Sequence, residues 1–154
     1  MNQKINYSGE LMLISNATQI ANAILQNEEF HVKLAAKDSF DESNASGKNI
    51  SDFIKGTSVR ANVEIYRSLW PWSKSNAYTT PIHPNVIYLN SRKIEDRTDK
   101  DWACTLIHEF IHLVDFENAQ YFFAHGSNSR INKENTAPYW IDNLVQTLLI
   151  PLAI

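Results

Sequence analysis

The chain lacks the features that identify several classes of protein. Its 154 residues contain a single cysteine, Cys104, so no internal disulfide can form and the stability of the fold cannot depend on an oxidising compartment. The formal net charge is -3 and no basic cluster is present, which argues against nucleic acid or an anionic membrane as the main partner. We therefore expect a partner that is recognised by other chemistry.

Long hydrophobic runs are also missing. The run at 11–14 is too short for the core of a signal peptide, and the run at 144–154 is interrupted by Gln146, Thr147 and Pro151 and is too short to span a bilayer. We expect neither run to anchor the chain in a membrane. The compartment stays open between the cytoplasm, export by a non-classical route and export with a leader that has been removed.

Local patterns predict a single α+β domain over residues 1–154. Hydrophobic residues make up 44% of the chain and charged residues 20%, as in ordinary globular domains of this length. The predicted elements are a helix at 15–27, strands at 30–35, 59–70 and 85–90, a loop at 38–49, a helix from Thr98 to Phe116 and a closing helix at 142–150. His31 and His83 are interpreted as surface residues, on the polar side of the first strand and on a loop.

The pentapeptide His108-Glu109-Phe110-Ile111-His112 carries the clearest chemical signal. Residues four apart lie on one face of a helix, roughly 6 Å apart along its axis, so the two imidazoles can share one metal ion. Glu109, about 100° further round, is badly placed as a ligand but can reach a water on that metal. The spacing is typical of a hydrolytic zinc site.

The helix around this motif is expected to be buried. Thr98 is a good N-cap, and Asp99 and Asp101 suit the first turn, where the helix dipole favours acidic side chains. On a helical wheel both histidines fall within one polar stripe of roughly 80°, and apolar residues occupy nearly all the rest. A surface helix has a much wider polar face. We therefore predict burial everywhere except where the histidines point.

Residues 98–116, with a strand just upstream, resemble the active-site segment of the zincin metallopeptidases. The resemblance implies that His108 and His112 bind Zn²⁺, and that Glu109 activates a zinc-bound water for hydrolysis of a peptide or protein substrate. It also implies a zincin-like fold, with a small twisted mixed sheet packed on an N-terminal helix and a central active-site helix. The strand at 85–90 would then be the edge strand that pairs with an extended substrate, or else a plain interior strand.

The continuation of the motif departs from strict metzincins. Those proteins place a glycine three residues after the second histidine and a third histidine three residues later, where this chain has Asp115 and Asn118. They also carry a later methionine, whereas the methionines of this chain are Met1 and Met12. A strict metzincin is excluded, and the chain is metzincin-like with a non-standard spacing to its third ligand.

His125 is the preferred third metal ligand. Residues 123–128 resemble the His-Gly region that supplies this ligand in some metzincin-like peptidases. An unbroken helix would carry His125 about 25 Å along the axis from His108, so the chain must turn near Asn118. Glu134, in the manner of gluzincins, and Asp115 stay open as alternatives.

Three further side chains have expected roles near the metal. Asp115 is assigned to orient a ligating imidazole by accepting a hydrogen bond from it. Cys104, one turn before His108, is expected to be a small core residue. Tyr139 resembles the tyrosine with which some zincins stabilise the oxyanion.

A different class of function is compatible with the same motif. In a non-catalytic zincin-like domain that binds metal or another protein, Asp115 or Cys104 would complete the coordination and no water would be activated. A processing enzyme that cuts one partner at one site is a third possibility. The oligomeric state cannot be read from the sequence.

Overall fold

The fold groups its helices and short strands in blocks along the chain. The computed structural model describes residues 3–126 and 129–150, so the end of the C-terminal apolar run, at 151–154, lies outside the described residues. The elements in order are β1 (Ile5–Asn6), α1 (Met12–Leu25), α2 (Glu28–Ala35), α3 (Gly47–Gly56), β2 (Ala61–Tyr66), β3 (Ala77–Thr80), β4 (His83–Asn90), a 3₁₀ helix (Ser91–Asp96), α4 (Asp99–Glu117) and α5 (Ala137–Leu149). None of the described helices combines the length and apolar character needed to cross a membrane.

The sheet is small and mixed, as expected. Among the described residues it has four strands in the order β1-β2-β4-β3, with β1, β2 and β4 parallel and β3 antiparallel to β4. The strand predicted at 85–90 forms most of β4, which lies between β2 and β3, so of the two expected alternatives it is the interior strand and not the edge strand. The edge strand beside it is β3, whose four residues are too few to show an alternating pattern in the sequence.

Helix α4 is the central element of the core. It contacts β3, β4, α1 and α5, and side chains as large as Trp102 and Phe110 are fully buried along it. Its first turn is closed by a capping box, in which the Thr98 hydroxyl accepts from the Asp101 backbone N–H and the Asp101 carboxylate accepts from the Thr98 N–H. Both the predicted start of this helix and its predicted burial are confirmed.

The strand predicted at 30–35 was wrong, because these residues form α2. Asn27 caps the helix by accepting hydrogen bonds from the backbone N–H groups of Glu29 and Phe30. The apolar residues at 30, 32 and 34 suggested a period of two, but Phe30 and Leu34 also fit one helical face. Val32 is 58% exposed, which identifies the helical period as the real one.

His31 is buried rather than on the surface. Its Nδ1 forms a hydrogen bond of 2.9 Å with the Ser51 hydroxyl, and its Nε2 forms one of 2.8 Å with the Leu25 carbonyl. Burial lowers its pKa, although the bond to Leu25 opposes this. The side chain joins the end of α1 to α2 and α3 and takes no part in metal chemistry.

The predicted loop at 38–49 overlaps a helix that the sequence reading missed. Helix α3 begins at Gly47, with a capping box between Ser46 and Asn49. A Cβ atom at Gly47 would lie 1.9 Å from the Leu34 carbonyl oxygen, so only glycine permits this approach of α3 to the end of α2. The polar composition of the segment concealed the cap.

Asn22 attaches the first strand to the helical layer. Its side-chain oxygen accepts hydrogen bonds from the backbone N–H groups of Lys4 and Ile5 at 3.0 and 3.1 Å. Its amide nitrogen donates to the carbonyls of Ile5 and Thr18 at 2.8 and 3.1 Å. Because Asn22 is buried, water cannot replace these four bonds.

Replacing Asn22 with alanine should therefore destabilise the fold by about 3 kcal/mol, since several buried backbone groups lose their partners. The free energy of unfolding in urea measures the effect. Asn143→Ala is the matched control, because Asn143 is exposed on α5 and its loss should change stability by less than about 0.5 kcal/mol. Equal small losses in both variants would contradict this role of Asn22.

Candidate metal centre

Three imidazoles converge at one point beside α4. His125 Nε2 lies 3.2 Å from His108 Nε2 and 3.0 Å from His112 Nε2, and one ligand atom from each ring lies within 4.8 Å of the others. Nitrogens bound to one tetrahedral Zn²⁺ are about 3.3 Å apart, given bonds of about 2.0–2.1 Å. The trio therefore fits a shared metal ion.

His125 reaches the helix histidines because α4 ends early. Its last residue is Glu117, and the C-cap Asn118 has extended backbone, so the turn that His125 requires is present. Asp115 accepts a hydrogen bond from the Phe123 N–H at 2.8 Å, and the buried Phe123 ring stacks against Phe53. These contacts fix the returning segment two residues before His125.

Asn44 holds the same returning segment through two further hydrogen bonds. Its side-chain oxygen accepts from the Phe122 N–H at 2.7 Å, and its amide nitrogen donates to the Gln120 carbonyl at 3.0 Å. Sequence reasoning missed this residue, because it lies 78 positions from Phe122 in a stretch interpreted only as a loop. No local pattern can reveal such a pairing.

The carboxylate that orients a histidine of the cluster is Asp142, not Asp115. Asp142 Oδ2 accepts a hydrogen bond of 2.9 Å from His108 Nδ1, which leaves the lone pair of Nε2 facing the other two rings. The expected role of Asp115 was wrong, because its carboxylate instead accepts from the backbone of Phe123. Asp142 lies on α5, and its spacing from the motif in the sequence does not predict its contact with His108.

The protonation state of His112 suits metal binding. Burial, reinforced by the charges of His108 and His125, lowers the pKa of His112 to about 3, so this ring is neutral near pH 7, as a ligand must be. Burial also acts to lower the pKa of His108, but the hydrogen bond and charge of Asp142 outweigh it and raise the value. The two helix histidines thus occupy different electrostatic environments one turn apart.

Glu109 is buried beside this trio. Its Oε2 accepts a hydrogen bond of 3.1 Å from the Thr79 hydroxyl on β3. Burial raises the pKa of its carboxyl, while His108 and Thr79 act in the opposite direction. A carboxyl with a raised pKa in a cleft can both accept and return a proton near neutral pH.

Tyr139 packs against the cluster. Its ring centroid lies 5.0 Å from that of His108 and 4.8 Å from that of His125. Burial, together with the charge of Asp142, raises the pKa of the phenol, which therefore remains a hydrogen-bond donor at neutral pH. Its expected role at the oxyanion stays a prediction.

The structure does not bring the alternative ligands into the cluster. Within the described residues, the converging group of metal-binding side chains consists of His108, His112 and His125. Glu134 is exposed on the loop before α5. Cys104 is buried, as expected, and burial raises the pKa of its thiol to about 12, which keeps it protonated.

His83 is exposed, as the sequence suggested. It lies at the start of β4, where its Nδ1 forms a hydrogen bond of 2.9 Å with the Tyr88 hydroxyl. It therefore serves as a reference histidine outside the cluster.

A cleft of about 540 Å³ runs over α4 past the cluster. His108, Glu109 and His125 line it together with Tyr139 and Asp142. Protein-family models, curated proteins and solved structures yield no match to this chain. Function therefore has to be inferred from the residues of the cleft themselves.

The chain should bind one Zn²⁺, and His125→Ala should weaken the binding by more than about 100-fold, since changes in residues that only support a ligand already cost 10–100-fold. Competition with a chromophoric chelator measures the affinity. His83→Ala is the control and should bind like the wild type. Equal Zn²⁺ affinities for the two variants would show that His125 is not a metal ligand.

Asp142→Ala should reduce Zn²⁺ affinity by about 10–100-fold, because His108 Nδ1 loses the acceptor that fixes its tautomer and orientation. Asp115→Asn is the comparison variant, since an amide oxygen still accepts from the Phe123 N–H. It should leave the affinity unchanged. The opposite pattern, a loss in Asp115→Asn alone, would restore the assignment made from sequence.

Proposed function

We propose that the protein is a zinc-dependent metallopeptidase with a zincin-like fold. The observation that carries the proposal is the convergence of three imidazole nitrogens in a cleft that also contains the buried carboxyl of Glu109. Three protein ligands leave a coordination position open, which is the pattern of catalytic zinc sites. Zinc bound there would act as a Lewis acid on the scissile carbonyl and lower the pKa of water towards 7.

Glu109 is the general base and acid of the proposed reaction. Its carboxylate accepts the proton of the attacking water and then returns it to the leaving amine. Thr79 holds one carboxylate oxygen, so the other oxygen is left for this exchange. Tyr139 lies against His108 and His125, from where its phenol can donate a hydrogen bond to the oxygen that gains negative charge.

The edge strand β3 supports a peptide as the substrate. Within the described residues β3 pairs only with β4, and Ala77 and Tyr78 of β3 line the cleft. An extended peptide can add to such an edge through backbone hydrogen bonds, which tolerate many side chains. We therefore assign to β3 the pairing with an extended substrate that the resemblance suggested for the strand at 85–90.

The alternative of a non-catalytic metal-binding or protein-interaction domain needs a fourth protein ligand. The expected candidates were Cys104 and Asp115. Burial keeps the Cys104 thiol protonated, and Asp115 bonds to the backbone of Phe123. Neither belongs to the converging group among the described residues, so the catalytic proposal is favoured.

Glu109→Gln should retain Zn²⁺ and lose hydrolysis by about 10²–10⁴-fold, because the amide cannot accept the proton of water. A mixture of peptides from a digested proteome serves as the substrate, and mass spectrometry detects new termini even when specificity is narrow. Glu134→Gln, which changes an exposed loop carboxylate, is the control. Full activity of Glu109→Gln would contradict the mechanism.

A further inference from the structure

Arg97 lies in the wall of the cleft, where the charges of Asp101 and Asp142 act on it without forming an ion pair. Its guanidinium carbon is 4.5 Å from the centroid of the Trp102 ring, and its Nη2 donates to the Asp101 carbonyl at 3.2 Å. Its Nη1 is buried and has no hydrogen-bond partner. Among the described residues no acidic side chain forms an ion pair with it.

The neighbouring acids make their hydrogen bonds to other groups. The Asp101 carboxylate accepts from the N–H and hydroxyl of Thr98, and Asp142 Oδ2 accepts from His108, while Asp142 Oδ1 is buried without a hydrogen-bond partner among the described residues. The charges of both carboxylates act to raise the pKa of Arg97. Burial lowers the pKa of Arg97, which shows that its cation is partly removed from water. A partly desolvated cation without an ion pair is costly, and a ligand that brings a further negative charge into the cleft would offset this cost.

The cleft as a whole favours an anion. Lys74, Arg97 and Arg130 line it, against the two carboxyl groups of Glu109 and Asp142, which both belong to the metal centre. The chain has a net charge of -3, so this local cationic surplus runs against the overall balance. The cations come from three separate segments, which only the fold brings to one cleft.

The separation along α4 between the residue that Arg97 contacts and His108 suits a peptide. Arg97 contacts the carbonyl of Asp101, seven residues before His108 on α4, which corresponds to about 10 Å along the helix axis. An extended peptide covers about 3.3–3.6 Å per residue. About three substrate residues, or fewer with a long side chain, therefore span the gap.

We infer that the cleft binds a substrate carboxylate at Arg97, and that preferred substrates carry an acidic side chain or a free C-terminal carboxylate within about three residues of the cleaved bond. This inference rests on the proposed peptidase function for its substrate class. The same guanidinium can receive either kind of carboxylate, because both offer two oxygens to its donors.

Mercaptoacetyl dipeptides test the inference without catalysis, since a thiolate anchors each one on Zn²⁺. The probes are mercaptoacetyl-Ala-Gln amide, which is uncharged in its tail, mercaptoacetyl-Ala-Glu amide, and mercaptoacetyl-Ala-Gln with a free C terminus. Calorimetry on the zinc-loaded chain gives their affinities. At least one carboxylate probe should bind about tenfold more tightly than the uncharged probe, and which one does identifies the source of the carboxylate.

Variants assign this preference to Arg97. Arg97→Gln should abolish it, Arg97→Lys should keep part of it because the charge remains, and Arg67→Gln, which changes an exposed arginine outside the cleft, should keep all of it. Zinc content and thermal melting show that each variant is folded. Equal binding of all three probes to the wild type, no binding of any probe, or a preference that survives in Arg97→Gln would overturn the inference.

Failure of the proposed function gives a different result. A protein that shows the Arg97-dependent preference yet cleaves no peptide would have the carboxylate site without the peptidase activity. A peptidase that cleaves acidic and neutral peptides equally would have the activity without the site.

Discussion

Three imidazole nitrogens that approach one another to 3.0 and 3.2 Å are the constraint on which the rest of the structure depends. Neutral imidazole has one donor and one acceptor nitrogen, and His108 uses its donor on Asp142, so its lone pair must face the other rings. Such lone pairs repel unless a proton or a cation lies between them. Folding has to bring the three rings to one point where a shared proton or cation can lie between them, and buried parts of the chain are used for it.

Rigid packing keeps the three imidazole rings in place. Two of the rings stand on α4, which the sheet, α1 and α5 surround, so neither its position nor its rotation can adjust easily. The third ring stands on a returning segment that lacks regular structure, and there specific contacts replace the helix. Asp115 and Asn44 bond its backbone, and the buried Phe123 ring anchors it in the core.

Burial also separates the acidic groups by role. Glu109 and Asp142 lie in the same cleft, yet Asp142 accepts a hydrogen bond from His108 while Glu109 accepts one from the Thr79 hydroxyl on β3. The first is therefore fixed as the acceptor for His108, and the second keeps a carboxylate oxygen for the proton exchange proposed above. Arg97 is the complementary case, a partly desolvated cation with one buried nitrogen, Nη1, that has no hydrogen-bond partner within the described part of the chain.

Local patterns in the sequence were sufficient to predict some elements. They predicted the N-cap of α4 at Thr98, the burial of that helix and the placement of His108 and His112 on one face, because a cap and a helical period involve residues within one or two turns. The strand predicted over α2 was wrong, because Phe30 and Leu34 fit a helical period as well as a period of two. Strand β3 was not predicted, because it is too short to show an alternating pattern. Tertiary structure alone decided that Asp142 supports His108, that Asn44 holds the segment before His125, and that Arg97 shares the cleft. Each of these contacts joins residues that are far apart in the sequence and are brought together by packing. No local repeating pattern in the sequence predicts such contacts.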